Sequence, residues 1–169
     1  MQVTQKSLYA LRAIFELAKC SKQGPMKIAD IAKAQAIPRR FLETILNQLK
    51  QAGFVESCRG NDGGYVLIPS PEEITVGQVM EFIQGPVGPP GCLIDKYRGN
   101  ECSLRKDCIF MEMWKKIHDA ILEVYNNTTF DDLMKQGKAQ IPPCVTSVRS
   151  KTCQKTRKTK SEDKSGVRF

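Results

Sequence analysis

Pro38-Arg-Arg-Phe-Leu-Glu-Thr-Ile-Leu-Asn-Gln-Leu-Lys-Gln51 decides how the rest of the chain is read. Leu42, Ile45, Leu46 and Leu49 recur at helical spacing and form one apolar face, while Arg39, Arg40, Glu43, Thr44, Asn47 and Lys50 fall on the other. Pro38 suits the first turn of a helix, where its missing N–H has no partner to lose. Gly53 suits the turn just past the end. Upstream, Leu8, Leu11, Ile14, Phe15 and Ala18 share a face of an earlier helix that Thr4 or Ser7 can cap, and Gly24-Pro25 ends that unit. A second helix is expected over 27–34, with Ile28, Ile31 and Ala32 inward, separated from the third by Gln35-Ala-Ile-Pro38. Downstream, residues 54–58 and 65–68 read as short strands around the turn-forming Arg59-Gly-Asn-Asp-Gly-Gly64. Helices, a short turn, a further helix and a glycine-rich hairpin are the order of a winged helix-turn-helix.

Beyond the wing, Thr75 can cap a short helix over 76–83. Gly85-Pro-Val-Gly-Pro-Pro-Gly91 then opens an irregular stretch to about residue 107, a length that is uncommon unless a ligand or a function organises it. Cys92, Cys102 and Cys108 sit in it or at its end. A long helix over 109–126 carries Phe110, Met113, Trp114, Ile117, Ile121 and Val124 as an apolar stripe. So small a domain has little core to cover that stripe, so the helix is expected to pack across a dimer axis. Thr129 can cap a last short helix through 134, and past Pro142-Pro143 the composition turns Lys/Ser/Thr-rich, as in disordered tails. The expected fold class is mainly α with a small β-wing. Its expected parts are a winged helix-turn-helix over 1–84, a cysteine-containing loop over 85–108, a dimerisation helix and short helix over 109–135, and a basic tail over 136–169.

The net charge of +8 is unevenly spread. Residues 1–66 carry ten Lys/Arg and five Asp/Glu, residues 67–144 eight and eleven, and residues 145–169 eight and two. A basic head suggests a polyanion partner. No stretch approaches the roughly 20 apolar residues of a membrane span, and the first residues lack a signal-peptide pattern. A cytoplasmic protein is expected, and its seven cysteines are not expected to form structural disulfides. With one histidine, no Ser/His/Asp set and no nucleotide loop, an enzyme is not expected.

The helix starting at Pro38 would lie in the major groove. Arg39 and Arg40 stand at its N-terminal end, where an Arg can bond guanine O6 and N7 together. Glu43 can accept from a cytosine amino group or exclude wrong sites, and Thr44, Asn47 and Lys50 suit phosphates. Arg59 on a thin hairpin suits a narrow, electronegative minor groove. The alternative for the helix is a solvated face laced with salt bridges, and for the hairpin an ordinary turn.

Three cysteines on one loop are a thiolate set for an iron–sulfur cluster or zinc. Tight C-x2-4-C pairs, which structural zinc prefers, are absent from that loop. An incomplete thiolate set suits a cluster with one weaker ligand better. Asp95, Glu101, Asp107 and Glu112 are nearby oxygen donors, and His118 lies further on. Cys20 and Cys58 read as core cysteines, Cys144 and Cys153 as free tail thiols. The alternative for the loop cysteines is burial or spare thiols.

Tyr9-Ala-Leu-Arg12, Ile28-Ala-Asp-Ile-Ala32, Phe41-Leu-Glu-Thr-Ile-Leu-Asn-Gln-Leu49 and Arg59-Gly-Asn-Asp-Gly-Gly-Tyr65 resemble the IscR/NsrR/RirA family of iron–sulfur winged-helix regulators, over about residues 1–135. The resemblance implies a homodimer on double-stranded operator DNA and a cluster held by three cysteines plus one other ligand, with 2Fe-2S favoured over 4Fe-4S. It implies control of genes for cluster assembly, iron, or redox and nitric-oxide stress. Cys92, Cys102 and Cys108 match the cluster cysteines, Pro38, Arg40, Phe41, Glu43 and Thr44 the reading-helix positions, and Arg59 and Gly60 the wing tip. Two departures stand out. The first cysteine gap is longer here, and Met111 occupies the place of the histidine ligand of IscR proteins, three residues past the last cysteine. Leu8 stands where some relatives use an acidic ligand. Glu112 is therefore the expected fourth ligand, with His118 second. A rival reading keeps the DNA-binding module without a cluster, its loop cysteines sensing thiol redox state or its dimer binding a small metabolite.

Overall fold

A computed structural model describes residues 3–60, 63–86, 107–137 and 143–144. Its elements are α1 (Gln5–Lys19), α2 (Ile28–Gln35), α3 (Arg39–Gln51), β1 (Val55–Cys58), β2 (Gly64–Leu67), α4 (Val76–Gln84), α5 (Met111–Asn127) and α6 (Phe130–Gln136). The chain is mainly helical with one small antiparallel sheet, as its patterning predicts.

α1 is the hub, packed against α2, α3, α4, α6 and β2. Thr4 caps it, accepting from the Ser7 N–H at 3.2 Å. Ser7 in turn donates to Gln84 Oε1 at 3.0 Å, pinning the start of α1 to the end of α4. The buried stripe differs from the one expected. Ala10, Ala13, Ile14, Leu17 and Ala18 are buried, Leu11 and Phe15 only half so, and Leu8 is 38% exposed. A helix enclosed by several neighbours needs small side chains where axes approach closely, and the alanines supply them.

α2 ends on Ala36, whose backbone is left-handed at φ 49°, and Ile37 N–H closes back on the Ala32 carbonyl at 3.0 Å. α3 follows at once. Its Leu42, Ile45, Leu46 and Leu49 are buried, as expected. Gly53, at φ 79°, takes the left-handed step past its end, and Phe54 N–H bonds the Leu49 carbonyl at 3.0 Å.

β1 and β2 pair with Val55 opposite Leu67 and Cys58 opposite Gly64. Met26, between α1 and α2, adds a short bridge to the outer side of this ribbon. Its N–H and carbonyl both bond Tyr65, each at 2.9 Å. A Cβ on Gly64 would fall 2.4 Å from the Met26 carbonyl oxygen, so only glycine admits that approach. The wing therefore hangs from the first helical unit as well as from α3.

α4 opens on a capping box of Thr75 and Gln78. α5 leans mainly on α4, at Gly77, where a Cβ would meet Asn126 Oδ1 at 2.2 Å. No α5 residue is buried within one chain. Phe110, Met113, Ile117 and Val124 of the expected stripe are exposed, while Trp114 and Ile121 are half-buried. α6 then returns Phe130 to the core, capped by Thr129. Among the described residues no helix is long and apolar enough to cross a membrane.

The cysteines depart from expectation. Cys20 and Cys144 form a disulfide, with Cα atoms 5.5 Å apart across 124 residues of sequence. Cys144 is therefore not a free tail thiol, because residues 143–144 come back against the end of α1 and the core. Cys58 is half-buried and disulfide-bonded as well, rather than a simple core residue. The expected cysteines Cys92, Cys102 and Cys153 lie outside the described residues.

Candidate nucleic-acid interface and cysteine site

Four buried apolar side chains clamp one face of α3 against α1 and α2. The opposite face is thereby forced outward. Arg39, Arg40, Phe41, Glu43, Thr44, Asn47 and Lys50 are all exposed on it, with Pro38 exposed at its N-cap. Phe41 is 63% exposed, a large apolar surface to leave in water. Such a ring on a helix entering the major groove can contact a thymine methyl.

The polar residues on this face are partly engaged with one another. Arg39 Nε donates to Glu43 Oε1 at 3.2 Å. Thr44 Oγ1 donates back to the Arg40 carbonyl at 3.4 Å. Lys50 Nζ donates to Ser57 Oγ on β1, so the end of the helix is tied to the wing. Ser57 was not anticipated, since a bond between elements leaves no periodic trace in sequence. Arg59 and Gly60 are exposed at the wing, Gly60 at φ 113° with its carbonyl accepting from Gly63 N–H at 3.0 Å. The helix and the wing thus carry three exposed arginines and a lysine, and the Lys50–Ser57 bond ties the two elements together.

At the far end of the domain, Cys108 is a free, half-buried thiol just ahead of α5, and its carbonyl accepts from Met111 N–H at 3.1 Å. Glu112 is exposed in the first turn of that helix. The two residues lie four apart in sequence around the start of α5. His118 lies about 9 Å further along the axis than Glu112, and its Nδ1 is buried without a partner. Among the described residues no three His, Cys, Asp or Glu side chains gather to hold a metal.

A surface groove of about 580 Å³ runs between the end of α3 and α4. Phe54 and Phe82 meet there edge to face, ring centres 5.8 Å apart, with Ile74 beneath and Glu73 and Glu81 at the sides. The Ser70 N–H donates to the Glu73 carboxylate at 2.9 Å and holds that group below its usual pKa.

A reading helix clamped by a two-helix frame, with a wing beside it, defines a DNA-binding regulator of the winged-helix class. The chain belongs to the Rrf2 family, described as "Iron-dependent Transcriptional regulator", whose profile matches residues 3–136. It is 35% identical over 133 residues to the HTH-type transcriptional regulator CymR of Bacillus subtilis, covering 79% of this chain and 89% of that one. The solved structure of CymR, the global cysteine regulator of B. subtilis, matches with a TM-score of 0.68 at 34% identity, over 80% of this chain and 98% of that one. IscR of Pectobacterium carotovorum is 35% identical over 135 residues, covering 79% of each chain. The T. potens IscR structure matches with a TM-score of 0.66 at 29% identity, over 84% of this chain and 93% of that one. The protein is a DNA-binding transcription regulator, like these relatives, and not an enzyme.

Proposed function

We propose that the chain works as a homodimer in the cytoplasm and reads operator DNA through α3 and the wing, with its affinity set by an iron–sulfur cluster. Arg39 and Arg40 read base edges, Phe41 contacts a thymine methyl, and Glu43 rejects wrong sites. Thr44, Asn47 and Lys50 hold phosphates, Pro38 starts the helix at the right depth, and Arg59 with Gly60 enters the minor groove. The exposed stripe of α5 takes a second copy of this chain. Its breadth, from Phe110 to Val124, with no α5 residue buried in one chain, supports that reading.

The observation that carries the cluster reading is Cys108. It is a free thiol just ahead of α5, four residues before Glu112 in sequence. Cys92, Cys102, Cys108 and Glu112 would hold the cluster, of the 2Fe-2S type, and so tie the 85–108 segment to the dimerisation helix. A bound cluster supplies sensitivity to iron supply, oxidants and nitric oxide. The regulated genes would then serve cluster assembly, iron, or redox stress. Purification without oxygen, with an absorbance spectrum and iron and sulfide assays, tests this. Coloured protein with both elements is expected, lost in Cys108→Ser. Loop-cysteine variants that keep colour, iron and operator preference would overturn it.

A second reading drops the cluster. The likeness to CymR and Met111 at the place of the IscR histidine favour it, and the Phe54–Phe82 groove gives a small metabolite somewhere to bind. Colourless, iron-free protein from the same preparation is its expected outcome.

A further inference from the structure

We propose that Cys20 and Cys144 form a reversible redox clamp at the base of the wing, separate from the loop cysteines, and that its closure tightens the hold on DNA. The proposal rests on the DNA-binding reading above. Cys20 ends α1 and is 1% exposed, while Cys144 is half-buried, which makes Cys144 the more accessible of the two. A chain that reads DNA works in a reducing compartment, where disulfides that do form are usually transient and signalling.

The clamp is joined to the reading surface through short links. Cys20 Sγ lies 3.8 Å from Met26 Sδ. Met26 is paired with Tyr65 on β2 by two backbone bonds. Tyr65 stands opposite Ser57 on β1, and Ser57 accepts from Lys50 of α3. Closing the disulfide holds Met26 against the end of α1 and so steadies the ribbon that carries Arg59. It also holds Cys144 against the end of α1. Residues 145–169, which follow it in sequence, carry eight Lys/Arg against two Asp/Glu, a charge that suits a polyanion.

The chemistry closes with two electrons. Cys144 thiolate attacks hydrogen peroxide, breaking the O–O bond to give a sulfenic acid and hydroxide, which takes up the proton the thiol had released and leaves as water. Cys20 thiolate then attacks the sulfenic sulfur, forming the S–S bond and expelling hydroxide, which takes up the proton of the Cys20 thiol to give a second water. A dithiol reductant reverses it. One of its thiolates attacks Cys144 Sγ and expels Cys20 thiolate, and its second thiol resolves the mixed disulfide as the reductant is oxidised.

The test uses the full chain. Peptide mapping without reductant should find a Cys20–Cys144 linked pair after peroxide and lose it after dithiothreitol. A labelled mixed-sequence duplex should bind the oxidised form about 5-fold or more tightly than the reduced form. By reciprocity, that duplex should shift the equilibrium of the bond with dithiothreitol toward the disulfide by the same factor. Cys144→Ser should bind like reduced wild type in both conditions, with the same iron content as wild type and a folded state confirmed by its thermal melt. Failure to find the linked pair, or equal affinity in the two states, overturns the clamp. So does a peroxide effect that survives in Cys144→Ser, which assigns the sensing to the loop cysteines. Loss of DNA binding in both states instead overturns the DNA-binding reading, and with it the effect claimed for the clamp.

Discussion

Arg39 and Glu43 face each other one turn apart on α3, Nε to Oε1 at 3.2 Å, with both side chains more than half exposed. In water such a pair contributes little to helix stability, about 0.3–0.5 kcal/mol. Its consequence is for recognition. On the proposed reading, Arg39 leaves Glu43 to reach a guanine, and the Glu43 carboxylate repels phosphate. Glu43→Gln should therefore raise affinity for mixed-sequence DNA while lowering the ratio of operator to mixed-sequence binding. The slope of log K against log salt should steepen by about one unit as a further cation becomes free to meet phosphate. Titrations at several salt concentrations measure both. An unchanged ratio would show that the pair belongs to the solvated face and reads nothing.

Glu16 lies inside the helical frame. It is 1% exposed and accepts from Lys19 at 3.0 Å and from Gln35 Nε2 at 2.6 Å, linking α1 to the end of α2. Lys19 is itself nearly covered, its side chain 7% exposed. Removing the carboxylate leaves that ammonium buried without a counter-charge, which is costlier than losing the pair itself. Glu16→Ala should destabilise the fold by about 3 kcal/mol. Urea unfolding followed by circular dichroism reads the change in midpoint. A loss below 1 kcal/mol would mean that Lys19 reaches water once released.

Much of this was legible in sequence, for reasons that differ by residue. Leu42, Ile45, Leu46 and Leu49 repeat within one helix, so their spacing alone fixes the buried face of α3 and hence the outward face with Arg39 and Arg40. Thr4, Thr75 and Thr129 announce their helices because a cap acts within three residues. α1 was harder. Its large apolar residues suggested a face that includes Leu8, whereas the close approach of neighbouring helices is made by Ala10 and Ala13, whose small size carries no strong periodic signal. Lys50 and Ser57, or Cys20 and Cys144, meet only because the whole chain folds, and nothing near either residue in sequence announces the other. The stripe on α5 was visible, and its Phe110, Met113, Ile117 and Val124 stay exposed.

α6 has an acid-sensitive cap. Asp132 Oδ2 accepts from the Thr129 hydroxyl at 2.6 Å and from its N–H at 3.2 Å, and these bonds, the hydroxyl foremost, hold the carboxyl below its usual pKa. A carboxylate with a lowered folded pKa contributes stability that is present above its unfolded value of about 4 and is lost as pH falls through the folded value. Thr129→Val removes the hydroxyl and keeps the shape. The Asp132 titration followed by carboxyl NMR should then move up toward the ordinary value. The stability advantage of wild type over the variant should shrink as pH drops below about 4. An Asp132 midpoint that stays low in Thr129→Val would place the cause in the Thr129 backbone N–H and the nearby Lys135 ammonium.

Ala36 is the single described residue other than glycine with a positive φ, at 49°, and it makes the turn that sets α3 against α2. An L-residue in this conformation pays roughly 1–2 kcal/mol for its Cβ. Glycine relieves that strain but loses about 0.5–1 kcal/mol through the greater freedom of the unfolded chain. The first term is larger, so Ala36→Gly should stabilise the fold by about 0.5 kcal/mol, raising Tm by about 1–2 °C for a chain of this size. Ala36→Val should move Tm the other way, since a branched side chain fits the left-handed region worse. Operator affinity should hold in Ala36→Gly, because the Ile37 N–H to Ala32 carbonyl bond that closes the turn uses no side chain. Differential scanning calorimetry of the three proteins orders them directly. If glycine proves no more stable than alanine, the backbone at this turn relaxes enough to carry the methyl without strain, and the angle between the two helices is softer than the structure implies.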